Sequence, residues 1–213
     1  MNIFPKQCLI TAATAVVLLL SSCSPAPKTA DSDSADKPAA PAGPPQPVTA
    51  KTAFWPMYMA ARSWATDLVT LKVDSKDVGG VKNQDGKAAL WEATFASPTQ
   101  HAYRVYTYAI AAYPPDIYKG VTSGQTMDWG GPTSNVLPVQ LSDFSTDSDA
   151  AYTAAAAEAS AWLKKNPDKP LTGFALGNAA KFGAPVWVLT WGSDKSGYRA
   201  YVNATTGKVL SKK

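Results

Sequence analysis

The sequence predicts an α+β fold in which a helix followed by an antiparallel β-meander occurs twice, and three observations predict it. First, Trp91-Glu92-Ala93-Thr94-Phe95-Ala96-Ser97 matches Trp187-Val188-Leu189-Thr190-Trp191-Gly192-Ser193, both following W-x-x-T-aromatic-small-S. Second, Tyr103-Arg104-Val105-Tyr106 returns as Tyr198-Arg199-Ala200-Tyr201, after connections of five and four residues. That difference is ordinary for hairpin loops. Third, Trp64 and Trp162 stand in Ala-rich segments 27 and 25 residues ahead of the matched tryptophans. Helix and sheet signals alternating in blocks imply an α+β architecture.

Taken in order, the chain opens with an expected export signal over residues 1–22. Lys6 precedes an apolar run from Leu9 to Leu20. As a helix that run would measure about 18 Å, too short for a bilayer core of roughly 30 Å, which suits a signal peptide. Leu20-Ser21-Ser22-Cys23 resembles the bacterial lipobox, so Cys23 is the expected site of cleavage and lipid attachment. Several acyl chains give stable anchoring where one is marginal. Ser24 follows Cys23 and, by resemblance to Gram-negative lipoproteins, implies an outer-membrane location facing the periplasm in such a host. Residues 23–50 hold seven prolines and Val48 as their only larger apolar side chain. Such a stretch cannot offset its conformational entropy and reads as a disordered tether.

Residues 51–121 form the first expected repeat. Met57, Ala61, Trp64 and Leu68 recur at helical spacing, and Pro56 suits a first helical turn. Leu68 to Val73 is the expected first strand. Trp91, Ala93 and Phe95 share one face of the next, and Tyr103 to Ile110 returns. A loop over 122–146 then joins the second repeat, 147–213. There Asp147, Ser148 and Asp149 offer helix-start chemistry, Ala150 to Leu163 is a strong helix former, and Lys164-Lys165-Asn166-Pro167 ends it. Leu171 to Leu176, Trp187 to Trp191 and Tyr198 to Asn203 are the expected strands of its meander.

The second repeat, roughly Ala151 to Leu210, resembles a PepSY domain. The resemblance rests on the Ala-rich helix, on Pro185-Val186-Trp187-Val188-Leu189-Thr190-Trp191, and on the ending Tyr198-Arg199-Ala200-Tyr201-Val202-Asn203-Ala204-Thr205-Thr206-Gly207-Lys208-Val209-Leu210. Asn203 stands where that family usually has Asp, and the first copy, a divergent one, lacks the Thr-Thr-Gly ending. The resemblance implies a binding or inhibitory module that restrains peptidases near the cell surface or docks a partner, and it carries no catalytic residues. The alternative is a structural or accessory lipoprotein of an envelope assembly or transport complex.

Composition excludes several chemistries. Cys8 leaves with the signal and Cys23 carries lipid, so the domain has no thiol for disulfides, metal or nucleophilic attack. Setting aside signal and tether leaves 17 basic and 13 acidic residues without a basic stripe, against nucleic-acid binding. His101 is the one histidine and falls in a hairpin loop. Neither a metal site nor a nucleophile–base pair can be assembled from it. Asp143, Asp147 and Asp149 miss calcium-loop spacing and read as helix caps. No enzyme activity, cofactor or metal is expected. The stripe Trp91, Phe95, Trp187, Trp191 reads as core. The 33 residues from Pro114 to Thr146, rich in Gly, Pro, Ser and Thr, form a long loop of the kind that often carries function. Tyr113, Tyr118 and Trp129 are the candidate contact residues for a protein or peptide partner. Deleting Tyr118 to Leu137 is expected to weaken capture without unfolding the domain.

Overall fold

The computed structural model describes residues 45–193 and 195–210. The signal over 1–22, Cys23 and the tether as far as residue 44 lie outside the described residues, as do Asp194 and the lysines at 212 and 213.

The strands form one antiparallel sheet because their apolar residues alternate. In β2 (Leu90–Ser97), Trp91, Ala93 and Phe95 point one way and all three are fully buried. Trp187, Leu189 and Trp191 do the same in β7 (Pro185–Trp191). With β1 (Val69–Lys76), β3 (Ala102–Ala109), β4 (Gly120–Ser123), β6 (Leu171–Asn178) and β8 (Tyr198–Asn203), they run in the order β4-β3-β2-β1-β6-β7-β8. The short β5 (Met127–Asp128) pairs with β3, continuing the β4 edge. The two meanders meet where β1 pairs with β6, Asp74 opposite Ala175. The sheet is therefore continuous, and one face of it carries the core.

Among the described residues, the α-helices cover that face alone. α1 (Ala50–Arg62) buries Ala50, Ala53, Phe54, Met57 and Ala61, a stripe at helical spacing, against β1 to β4. Each large side chain so buried contributes about 1.5–3 kcal/mol. α2 (Ser148–Glu158) lies over β7 and β8, burying Ala151 and Ala155. Small alanines bring it close to the sheet. Asp147 caps it by accepting the Ser148 N–H at 2.7 Å.

Several expected boundaries move. Val48, Thr49 and Ala50, tether by composition, belong to the fold: Val48 bridges Ala88, Thr49 caps α1, and Ala50 is fully buried. Pro56 consequently sits inside α1 rather than in its first turn. Trp64 and Leu68 fall beyond the helix end. The second helix turns at Ala159 into the short α3 (Ser160–Lys165), which brings Trp162 to Tyr198 with ring centroids 5.7 Å apart. The stretch from Pro114 to Thr146 is not a structureless loop. It contains β4, β5 and a 3-10 turn over Leu141–Asp143. These pieces are too short for period-two alternation to register in sequence. Among the described residues no helix is long and apolar enough to cross a membrane.

Candidate functional site: a groove on the open sheet face

Residues that alternate with the core stripe point to the face that α1, α2 and α3 leave open. Thr94, between Ala93 and Phe95, pairs with Lys72 there. A bulge between Thr70 and Lys72 re-phases β1, so that Val73 meets Ala93 on the core side while Lys72 is open. Beside this pair lies a groove of about 420 Å³, floored by Leu71, Lys72, Thr94 and Tyr103 and walled by Asp128, Trp129, Gly130, Gly131, Thr133 and Val136.

The wall is held by backbone bonds at both ends. The Trp129 N–H donates to the His101 carbonyl at 2.8 Å, and the Leu137 and Val139 N–H groups donate to Asn178 and Thr70. Thr133 and Val136 close a tight turn between them. Gly131 has φ +98°, a conformation only glycine takes readily, and open space lies where its side chain would be. Trp129 is half-buried, and no side-chain partner meets its indole N–H among the described residues. The groove therefore offers an aromatic plane, a phenol, an indole donor and one charge of each sign. That set suits an extended peptide or another flat, partly apolar group.

Charge on this face is arranged as a ladder. Lys72 reaches Asp74 at 3.1 Å, Lys76 reaches the same Asp74 oxygen at 2.8 Å, and Lys76 also reaches Glu92 at 3.1 Å. The hydrogen bond to Asp74, aided by Glu92, holds the Lys76 ammonium above the ordinary lysine value despite partial desolvation. Asp74, only 8% exposed, is thus compensated from both sides.

The three candidate contact residues do not converge. Tyr113 bridges Ile117 and lies on Gly79, whose φ of +54° and lack of a side chain make room for the ring. It belongs to a small apolar cluster with Val78 and Leu90. Tyr118 is 66% exposed, just before β4. Trp129 lies at the other end of β3, some seven residues or roughly 24 Å along that strand. Only Trp129 lines the groove. Tyr103, Leu71, Lys72 and Thr94 escaped sequence reasoning because each looks like an ordinary strand residue. For Thr94, alternation against Trp91 and Phe95 was the available signal.

His101 stands exposed at the β2–β3 turn with φ +51°, and its carbonyl is what fixes Trp129. Asp147 and Asp149 accept from the backbone N–H groups of α2. The aromatic stripe Trp91, Phe95, Trp187 and Trp191 is buried throughout, as expected.

No family model and no curated relative matches the sequence. Among solved structures, the chain is similar to a candidate lipoprotein from Clostridium difficile 630. Identity is 12% and the TM-score 0.44, with 72% of this chain and 87% of that one covered.

Proposed function

We propose that this chain is a lipid-anchored, non-catalytic binding protein of the cell envelope, whose open sheet face receives a protein or peptide partner. The anchor is read from Leu20-Ser21-Ser22-Cys23 and the tether behind it. In a Gram-negative host the domain would face the periplasm from the outer membrane. The observation that carries the binding role is the groove beneath Trp129, on a face that the helices leave uncovered. The broken outer edge made by β4 and β5 adds strand ends along which an extended segment can pair.

The two halves are read as tandem PepSY-like repeats, 51–121 and 147–213, with the earlier one beginning three residues sooner than its composition suggests. Matched details support this. Trp91 Nε1 donates to the Val48 carbonyl and Trp187 Nε1 to the Thr146 carbonyl, each at 2.9 Å and each one residue ahead of a helix cap. Bulges fall at Thr70/Lys72 and at Leu171/Gly173, in the same place relative to those tryptophans. On the family resemblance, the partner is a peptidase that the domain restrains.

Deleting Tyr118 to Leu137 is not the right test, since it removes β4, β5 and the groove wall together. Point changes are cleaner. Trp129→Ala and Tyr103→Ala are expected to lower capture of the envelope partner by roughly tenfold or more, as truncation of an interface anchor does. Trp129 being half-buried at the surface, Trp129→Ala should leave stability within about 1 kcal/mol. Pull-down from envelope extract with mass spectrometry, then assay of any captured peptidase, reads both. A captured peptidase whose activity falls supports restraint. Capture of assembly or transport components without a peptidase moves the protein to the accessory class. Unchanged capture by both variants would remove the groove from the reading.

A further inference from the structure

Helix α1 has a second face that the core does not use. Along its outer side Trp55, Met59 and Arg62 follow one another at spacings of four and three residues, one ridge of a helix. Trp55 is 49% and Met59 65% exposed, large apolar surfaces for a helix that already buries its other stripe. Arg62 forms no ion pair or side-chain hydrogen bond among the described residues. Ser63, four residues after Met59, leads from this ridge into a hollow of about 260 Å³ between α1 and the strands β3 and β4. Arg104 lies in that hollow with its guanidinium 5.0 Å from the Trp64 ring centre. Its Nε donates to Thr126 at 2.7 Å, which leaves the outer nitrogens for another acceptor. The hydroxyls of Ser63, Thr122 and Ser123 line the same hollow.

Charge and chain position bear on what could cover this face. From residue 37 to residue 66 there is no Asp or Glu, while Lys37, Lys51 and Arg62 are basic, the Lys51 ammonium being held by the Ser145 carbonyl at 2.6 Å. α1 is also the first element after the tether. Cys23 and Ala50 are 27 positions apart. A gap of that many residues can reach no further than roughly 90 Å. A bilayer holding Cys23 would thus confront α1 at an effective concentration on the order of millimolar, where even weak contacts are populated. An indole, a thioether and guanidinium groups with hydroxyls beside them suit the boundary between acyl chains and phosphate headgroups.

We propose that the outer ridge of α1 rests on the anionic lipid surface that anchors the chain, with a headgroup phosphate taken between Arg104 and the hydroxyls of the adjoining hollow. The proposal rests on the lipid-anchor reading above. It also gives that reading an orientation: the groove lies on the opposite face of the sheet and is turned toward the partner.

The test uses the full lipidated chain, with acylation of Cys23 verified by mass spectrometry, in vesicles containing brominated phosphatidylglycerol. Acylated Cys23 leaves the mature chain without a free thiol, so a fluorophore can be placed singly through Met59→Cys on the ridge or Ser134→Cys on the groove wall. Strong quenching at 59 with little at 134 is expected. Quenching at 59 should fall several-fold when equally brominated phosphatidylcholine replaces the brominated phosphatidylglycerol, and when Arg62→Ser and Arg104→Ser are introduced together. Equal, weak quenching at both positions on an acylated chain would overturn the docking. So would protection at 59 that requires an added envelope protein, since a protein would then be the occupant. If Cys23 proves unacylated, the anchor reading falls by itself. Vesicle titration of the chain begun at Ser24, which holds neither Cys8 nor Cys23, then decides the docking alone, kept by quenching at 59 at higher lipid and ended by its absence.

Discussion

Trp91 and Trp187 are buried completely, stand 6.5 Å apart between ring centroids, and each spends its indole N–H on a carbonyl one residue ahead of a helix cap. Each therefore ties a central strand to the start of the helix that covers it. Phe in either place keeps most of the apolar contact but loses that bond and leaves a void, although the Val48 carbonyl keeps the Ala88 N–H at 3.0 Å. Trp91→Phe and Trp187→Phe are each expected to cost about 2–4 kcal/mol in urea unfolding. Because the rings touch, the double variant should depart from additivity by about 0.5 kcal/mol or more. Ser148 acts across the two halves in the same spirit. Its fully buried hydroxyl accepts the Ala50 N–H at 2.8 Å, while Asp147 accepts that of Lys51 at 3.0 Å. Ser148→Ala would orphan a buried donor at the start of α1, with an expected loss of about 1–3 kcal/mol. The tryptophan stripe was legible in sequence, because large apolar residues at period two have one sensible destination. The hydrogen bonds were not, since their acceptors are carbonyls whose position depends on the folded chain.

At the scale of elements, legibility followed length and periodicity. The cap and first turns of α2 were readable because Asp147-Ser148-Asp149 precedes an unbroken helix-forming run. The start of α1 was hidden by its own composition, since Val48, Thr49 and Ala50 differ little from the tether and Pro56 suggests a later beginning. Pro56 within α1 withholds an N–H from the helix ladder, at a position exposed to solvent. Pro56→Ala is therefore expected to raise stability, by up to about 3 kcal/mol if the helix straightens without strain, which thermal unfolding reads as a higher midpoint. The β2–β3 hairpin has a device of its own. Asp67 accepts from the Ser97 hydroxyl at 2.6 Å and from the Thr99 N–H at 2.8 Å, tying the approach to β1 to the hairpin turn. The Ser97 bond first, and then those of Thr99, lower its pKa from 3.8 to about 2. A lowered folded value means that the ionised form is favoured by folding. Its contribution is complete above pH 3.8 and is lost as the pH falls to about 2. Asp67→Asn should thus be less stable than the parent at neutral pH, and the difference, followed by unfolding across that window, should close toward pH 2. A constant difference would mean that the carboxylate's charge plays no part in the tie.

For the whole molecule, two stretches of similar sequence do not amount to two domains. That similarity is silent on how the stretches join, because β1 and β6 carry no signal naming each other as partners. Their pairing builds one sheet, with Val73 opposite Leu176 at its centre. It also builds one core, in which Trp91 meets Phe174 and Trp187, and Phe144 bridges Phe54 and Trp187. α1, from the first half, has its opening N–H groups satisfied by Asp147 and Ser148 of the second. A first half alone would expose the edge of β1, uncover Trp91 and unsatisfy a helix start, each cost being large beside the marginal stability of a small domain. The chain is therefore expected to unfold in one step, with tryptophan fluorescence and far-ultraviolet circular dichroism giving the same denaturant midpoint. A chain ending at residue 146 should show no cooperative transition at all. Repeats that fold by themselves predict the opposite, a truncated chain with a transition of its own and a full chain with two. The groove sharpens the point, because its floor is β1 to β3 while the wall over it is fastened to Asn178 in β6. Binding through Trp129 should therefore disappear with the second half, even if a stabilising solvent forced the first half to keep its strands.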